Sequence, residues 1–313
     1  MSEARPPRNG RRWFQIGGIT IQVDADRPIT SQTFAPKFEA FAVDGPGSDT
    51  VFIHHRFGLP DLQGRELGRR AYRNRSWAVF ERPDAWFYLG RMRDLDDTRL
   101  FTFAEFDREH THGTIYSPAD DQFMQGHLES LTTLPTDQII LARVLADRRA
   151  CYLHSAAVIV DGAGLLFLGH SEAGKSTVAR MLDGRSQLLC DDRNIVRRWP
   201  DGFRVHGTWS HGEIPRVSAA SAPLAAIFLL SKAEENRLVK VTDRVRLATV
   251  LAACMIKPVV DVGWWEKSLD LIETMMNEIP CYEMRFDKSG AIVPALLELA
   301  RSFSPTTRTE GAP

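Results

Sequence analysis

What the sequence lacks narrows the field first. Its four cysteines (Cys151, Cys190, Cys254 and Cys281) stand far apart with no C-x-x-C pair. That spacing excludes a disulfide framework and a sequence-signalled zinc site, and makes a reducing cytoplasm the expected location. No apolar run approaches the roughly 18–20 residues needed to cross a bilayer, so no membrane-embedded role is expected. Charge of neither sign is in excess: 39 basic and 40 acidic residues leave a net charge of -1. This balance argues against a basic nucleic-acid binder and against a highly charged disordered chain. Residues 1–12 hold four arginines, but no apolar signal core follows, and secretion is not expected. Internal repeats and sustained low-complexity segments are missing too. What is present is ordinary for a globular protein, with 43% hydrophobic and 25% charged residues in a chain of 313. At ~100–200 residues per domain, that length suggests two domains.

The chain divides into four parts. Residues 1–12 and 304–313 are polar and Pro-, Arg- or Thr-rich and read as disordered tails. Between 13 and 134, short aromatic and β-branched runs at 13–23, 50–53, 77–81, 86–89 and 100–106 are bounded by Pro, Gly and Asp. They predict a β-rich α+β domain, taken as the domain that selects a substrate or partner. The charge run Arg65-Glu66-Leu67-Gly68-Arg69-Arg70 reads as a solvated turn or short helix, with contact to a partner as the alternative. From 135 to 303 strands and helices alternate. A helix begins at Pro135-Thr136-Asp137, with Thr136 as cap. Strands follow at 151–160 and 164–168, a helix at 176–182 and a strand at 187–190. Runs 194–199 and 203–206 flank the turn Pro200-Asp201-Gly202. A continuous apolar strand covers 224–230. Helices at 242–256 and 264–279, a strand at 281–286 and a helix at 291–303 complete an α/β domain.

One motif carries chemistry. Gly169-His170-Ser171-Glu172-Ala173-Gly174-Lys175-Ser176-Thr177 matches G-x-x-x-x-G-K-[ST], entered by the apolar run 165–168 and left by a helical pattern. Strand, loop and helix in that order surround a phosphate with backbone N–H groups. Lys175 is expected to reach the β/γ-phosphates of ATP, and the Ser176 hydroxyl to ligate Mg²⁺. Glu172 stands where glycine is common; its carboxylate must point outward or meet a cation. Sixteen and seventeen residues beyond Lys175, Asp191 and Asp192 end a short apolar run. Two carboxylates there suit a Mg²⁺ partner and a proton acceptor beside a γ-phosphate.

The stretch from His154-Ser155-Ala156 through the motif to Asp191-Asp192 resembles the catalytic domain of HPr kinase/phosphorylase. In that family, too, a histidine opens a strand fifteen residues before the first loop glycine, and paired aspartates follow the short helix. The resemblance covers roughly 136–290 and implies a P-loop α/β fold related to phosphoenolpyruvate carboxykinase, preceded by the β-rich domain. It also implies Mg·ATP as cofactor, Asp191 as general base toward a serine hydroxyl, Asp192 for Mg²⁺ or orientation, and His154 beside the base; the two aspartates are exchangeable. The glycine-rich signature of the bifunctional members is replaced here by His206-Gly207-Thr208-Trp209-Ser210-His211-Gly212-Glu213-Ile214-Pro215-Arg216, which puts phosphorolysis and HPr itself in doubt. Arg216 is the best candidate in that stretch for stabilising phosphate charge. The sequence is closer to the stand-alone HPr kinase-like proteins encoded with peptide-modification enzymes.

The resulting expectation is an ATP-dependent kinase acting on a hydroxyl, namely a serine of a peptide or protein partner. Neither nucleic acid nor membrane is an expected partner, and the family's rings make a homo-oligomer compatible with this reading. The alternatives are a small-molecule kinase or carboxykinase-like enzyme of the same fold, or an ATP-binding regulatory protein that transfers nothing. His54-His55 and His110-Thr111-His112 have metal-like spacing only superficially, with no third ligand evident, and a metal site is not expected there. Trp264-Trp265 reads as packing, with closure over an adenine or the lining of a partner surface as the alternatives.

Overall fold

A computed structural model describes residues 10–94, 97–132, 136–258 and 262–303. The tails read at 1–9 and 304–313 and the boundary read at 134/135 lie outside the described residues. Gly10, Arg11 and Arg12 are described, and Arg11 already opens a strand rather than belonging to a tail. The chain forms two compact units, residues 1–148 with 257–267, and residues 149–256 with 268–313. The architecture is mixed α/β with a large sheet in each unit.

The first unit is built on nine strands: β1 (Arg11–Ile16), β2 (Ile19–Ala25), β3 (Ala42–Val43), β4 (Thr50–Phe57), β5 (Arg69–Arg73), β6 (Trp77–Glu81), β7 (Ala85–Asp94), β8 (Asp97–Asp107) and β9 (His112–Ser117). Their order is β3-β1-β2-β4-β9-β8-β7-β6-β5. β4 runs parallel to both β2 and β9, and the other pairs are antiparallel. The short helix α1 (Asp121–Gln125) and a 3₁₀ turn at Pro36–Phe41 close one side. Phe34 and Phe38 pack edge-to-face around Phe14 there, and Phe123 meets Phe34 in the same way. On β7, five consecutive residues from Ala85 to Leu89 are buried, so both faces of the sheet are covered. Phe87 and Leu89 join Ala78 and Phe103 on one face, while Tyr88 meets Phe106 and His110.

Helix α2 (Thr136–Ala146), read from sequence as the start of the second domain, belongs to the first unit. Its contacts explain why. The Arg143 guanidinium lies 4.1 Å from the Trp86 ring centroid, and Trp264 Nε1 donates to Ala142 O at 3.1 Å. Just beyond the helix, Arg148 grips both oxygens of Asp49 at 2.7 Å. Trp264 is therefore a buried packing residue whose indole is already bonded.

The second unit holds β10 (Ala150–Val160), β11 (Ala163–Leu168), α3 (Lys175–Met181), β12 (Gln187–Cys190), β13 (Arg193–Trp199), β14 (Gly202–His206), β15 (Ser221–Lys232), β16 (Arg237–Lys240), α4 (Arg244–Cys254), the remainder of α5 (Val262–Glu278), β17 (Cys281–Phe286) and α6 (Val293–Phe303). β10 and β15 are long enough to pair with different partners at their two ends. β10 meets β13 through 150–154, then β12 through 157–159, with β11 on its other edge. β15 meets β14 through 221–223, then β11 and β17 in parallel. The strands β10, β11, β15, β14 and β13 thus pair in a ring. Where the edge of β10 passes from β12 to β13, the chain must step out and back; Asp191 and Asp192 occupy that step. The core beneath comprises Val158, Phe167, Phe228, Met284 and Phe286 with Val178 of α3 and Leu296 of α6, all at most 3% exposed.

Candidate functional site

Strand β11, buried along its whole length, delivers the chain into the 169–174 turn. The turn is tight at its base, since a Cβ on Gly169 would stand 2.5 Å from Ala173 Cβ. Gly174 has φ +105°, and a side chain there would also press on the Phe286 ring at 2.8 Å. Glu172 adopts φ +68°, the left-handed region that favours glycine, and its side chain is exposed, pointing away from the loop interior. Lys175 opens α3 and is 7% exposed, its Nζ donating to Gly169 O and His170 O at 3.0 Å each. Burial pushes its ammonium below the usual lysine range, while Cys254 and the two aspartates pull the other way. The lysine is therefore folded back across its own loop.

At the next residue of α3, the Ser176 hydroxyl donates to Asp191 Oδ2 at 2.9 Å. Two backbone groups complete that carboxylate: Gly212 N–H donates to Oδ1 at 2.7 Å and Ile214 N–H to Oδ2 at 3.0 Å. Asp191 is 2% exposed, so each donor satisfies an oxygen that water cannot reach. Gly212 fits this close approach because a Cβ would meet both carboxylate oxygens at 3.2 Å. The loop bearing it is anchored at several points. Tyr152 and Ser210 share a hydroxyl–hydroxyl bond of 2.8 Å, Thr208 Oγ1 donates to Arg193 O at 2.5 Å, and the Cys190 thiol donates to Ser210 O.

Asp192 has a different environment. Its Oδ1 lies 3.2 Å from His154 Nδ1, which also meets the Asp192 carbonyl at 3.0 Å. Both neighbours are acceptors, which places the imidazole proton on Nδ1. Arg193 Nε lies 3.4 Å from Oδ2. The side chains of Asp192 and His154 are 21% and 36% exposed, so this pair reaches solvent. Beneath them Asn194 is fully buried, its amide donating to Ser155 O, Ser155 Oγ and Cys190 O at 2.9–3.2 Å. It braces the step that carries both aspartates.

The structure brings Lys175, Ser176, Asp191, Asp192 and His154 into one connected set. It pairs Ser176 with Asp191, whereas the sequence reading joined Ser176 to Asp192 as the metal set; the crossing of β10 from β12 to β13 turns Asp191 inward. Arg216 pairs with Asp183 at 3.0 Å on the exposed surface instead of turning to this set. Glu213 pairs with Arg180. His206 is buried, takes the Trp199 indole N–H at 3.3 Å and is pushed down to about 4, by burial first and then by Arg204 and Arg197. Sequence reasoning missed the backbone donors of Gly212 and Ile214, since any residue supplies an N–H. Asn194 carried a faint signal, a polar residue set in an apolar strand.

The histidine doublets lie in the first unit. His54 pairs with Asp26 at 2.7 Å and His112 with Asp107 at 3.2 Å, while buried His55 and His110 meet Leu131 O and Tyr88 Oη.

Comparisons with known proteins bear on this set. No curated protein matches the sequence. A solved structure, the Hpr(Ser) kinase/phosphatase from Coxiella burnetii, is similar over 48% of this chain and 88% of its own, at 11% identity and a TM-score of 0.31. The likeness to an HPr kinase is thus distant, and the family named from the sequence is not the one whose model matches. The model described as SynChlorMet cassette protein ScmC matches residues 128–296, a span containing every member of the connected set. That span is more than half of the chain, and the protein belongs to the ScmC family.

Proposed function

We propose that the protein is an ATP-dependent phosphotransferase that places the γ-phosphoryl group on a hydroxyl, with serine of a peptide or protein as acceptor. The observation that carries this reading is the bond from Ser176 to Asp191 beside the folded-back Lys175. A hydroxyl and a carboxylate side by side form an all-oxygen donor pair, the chemistry that Mg²⁺ selects. Gly169 and Gly174 let the 169–174 turn close tightly against Ala173 and Phe286 at the start of α3, a compact strand–turn–helix that fits a phosphate. Ser176 and Asp191 would hold the metal and residues 169–177 the nucleotide phosphates. When bound, Mg·ATP supplies the phosphoryl group and offsets its charge.

The chain's own residues divide the remaining work. Asp191, closed in by three donors, is a mount rather than a base, so the proton-accepting role passes to Asp192, the more accessible carboxylate. Asp192 takes the acceptor's hydroxyl proton at a carboxylate oxygen. His154 donates through Nδ1–H toward that carboxylate and holds it in orientation. Lys175 leaves its two carbonyls to meet phosphate oxygens.

The test is incubation with γ-labelled ATP, Mg²⁺ and candidate acceptors, starting with peptides encoded beside the gene, read by mass spectrometry. Lys175→Ala and Asp192→Asn are each expected to lower transfer by about 10²–10⁴-fold. Asp192→Asn retains nucleotide binding. Full activity in either variant overturns the assignment, and nucleotide binding without transfer to any acceptor favours the regulatory alternative.

A further inference from the structure

The nine-stranded sheet of the first unit ends at β5, which pairs with β6 alone among the described strands. Its outer backbone edge faces no described partner. Arg69, Arg70, Arg73 and Arg75 fall within seven residues on and just beyond this strand, all exposed, and no carboxylate occurs between 67 and 80. Across the ladder only Arg69 meets an acid, Glu81. Arg70 stands opposite Phe80 and Arg73 opposite Ala78. Among the described residues, Arg70, Arg73 and Arg75 form no ion pair. In a chain whose net charge is -1, this is a local excess.

We propose that β5 is a docking edge for an extended, acidic peptide segment, which adds to the sheet as a tenth strand. The backbone groups along the free edge supply a ladder, and the three unpaired guanidiniums supply selection for carboxylates through bidentate bonds. Charge also decides among occupants. A second copy of β5 would bring like charges together along the ladder, which blocks edge-to-edge pairing of the protein with itself. Nucleic acid has no strand ladder to offer, and the balanced overall charge gives no long-range field to gather it. β5 is only five residues long, with a shift in its register against β6 between Arg70 and Tyr72, and this limits the added segment to a short one. Exposed Tyr72, whose hydroxyl accepts from Asn74 Nδ2 at 3.0 Å, adds an apolar surface beside the arginines.

The experiment uses the full chain and needs no ATP, so its outcome is independent of the phosphotransfer reading. A fluorescent nine-residue peptide of alternating glutamate and valine is titrated by anisotropy. Controls are the lysine–valine counterpart and a glutamate–valine peptide N-methylated at alternate amides. The triple reversal Arg70→Glu, Arg73→Glu, Arg75→Glu is expected to weaken the acidic peptide at least about tenfold and to improve the lysine peptide. N-methylation is expected to cost a similar factor, because it removes ladder donors. Hydrogen exchange at 69–73 slows in the complex. Circular dichroism checks folding, with the triple glutamine variant in reserve if the reversal unfolds the unit. Three results overturn the proposal: equal affinity in the arginine variants, indifference to N-methylation, or tighter arginine-dependent binding to a DNA duplex or to phosphatidylserine vesicles.

Discussion

Replacing Asp191 by alanine removes the acceptor of three donors at once, the Ser176 hydroxyl and the N–H groups of Gly212 and Ile214. Of the two backbone N–H groups, that of Ile214 is buried, whereas Gly212 is exposed and its N–H can turn to water. An unpaired buried donor costs about 1–3 kcal/mol, so Asp191→Ala is expected to lose roughly 1–3 kcal/mol of unfolding free energy. Asp192→Ala, which leaves only partly exposed neighbours, should stay within about 1 kcal/mol of the parent. Urea denaturation of the two variants measures both. Equal losses would mean that the two carboxylates are not held in different surroundings. The sequence showed an Asp-Asp pair, but adjacency hid how differently the two side chains are placed. Direction follows from where the edge of β10 changes partner, a long-range feature that local spacing does not contain.

At the scale of elements, the second unit was the more legible. The apolar run 224–230 reads as a central strand, and β15 has parallel partners on both edges in β11 and β17. Phe228 is its centre, fully buried, with the Phe167 and Tyr282 rings stacked at 5.1 and 5.9 Å. Phe228→Ala should therefore cost about 3–5 kcal/mol, visible as an earlier urea midpoint by far-UV circular dichroism. A loss below about 1 kcal/mol would contradict a close-packed centre there. Less legible were elements too short or too polar to show a period. β16, with four residues, two of them charged, lies on the sheet edge and is specified by β17 across the ladder rather than by itself. The charge run Arg65–Arg70 reads as a solvated turn or short helix, whereas its exposed Arg69 and Arg70 open the strand β5; among the described strands β5 pairs with β6 alone, and so short and charged an edge shows no strand period in sequence. The return of 257–267 to the first unit was illegible for another reason. It rests on contacts such as Trp264 with Ala142, across 122 positions.

At the scale of the whole molecule, three histidines in the two units make a common demand on pH. His55 and His110 in the first unit and His206 in the second are all buried. Burial is the leading cause in each case and lowers them from 6.5 to about 4, about 3 and about 4 respectively, with Arg143 adding to the effect on His110. Each imidazole is thus neutral in the fold at a pH where the unfolded chain already binds a proton. The unfolded state then holds more protons than the native state between about pH 6.5 and 4, so stability rises with pH across that window and is lost as pH falls through it. For His206 alone the shift corresponds to on the order of 3 kcal/mol, a sizeable share of the stability of an ordinary domain. Carboxylates held low by their partners, such as Asp183 beside Arg216, begin to contribute only near their own unfolded range around pH 4, so the two effects separate on the pH axis. Urea midpoints measured from pH 7.5 to 4.5 should fall steadily below pH 6.5, and His206→Gln should flatten the part belonging to the second unit. Its baseline stability is lowered by the lost Trp199 contact, so the slope against pH, not the absolute midpoint, is the quantity that decides. A slope unchanged by the substitution, or midpoints constant down to pH 4.5, would mean that these imidazoles are not held neutral by the fold.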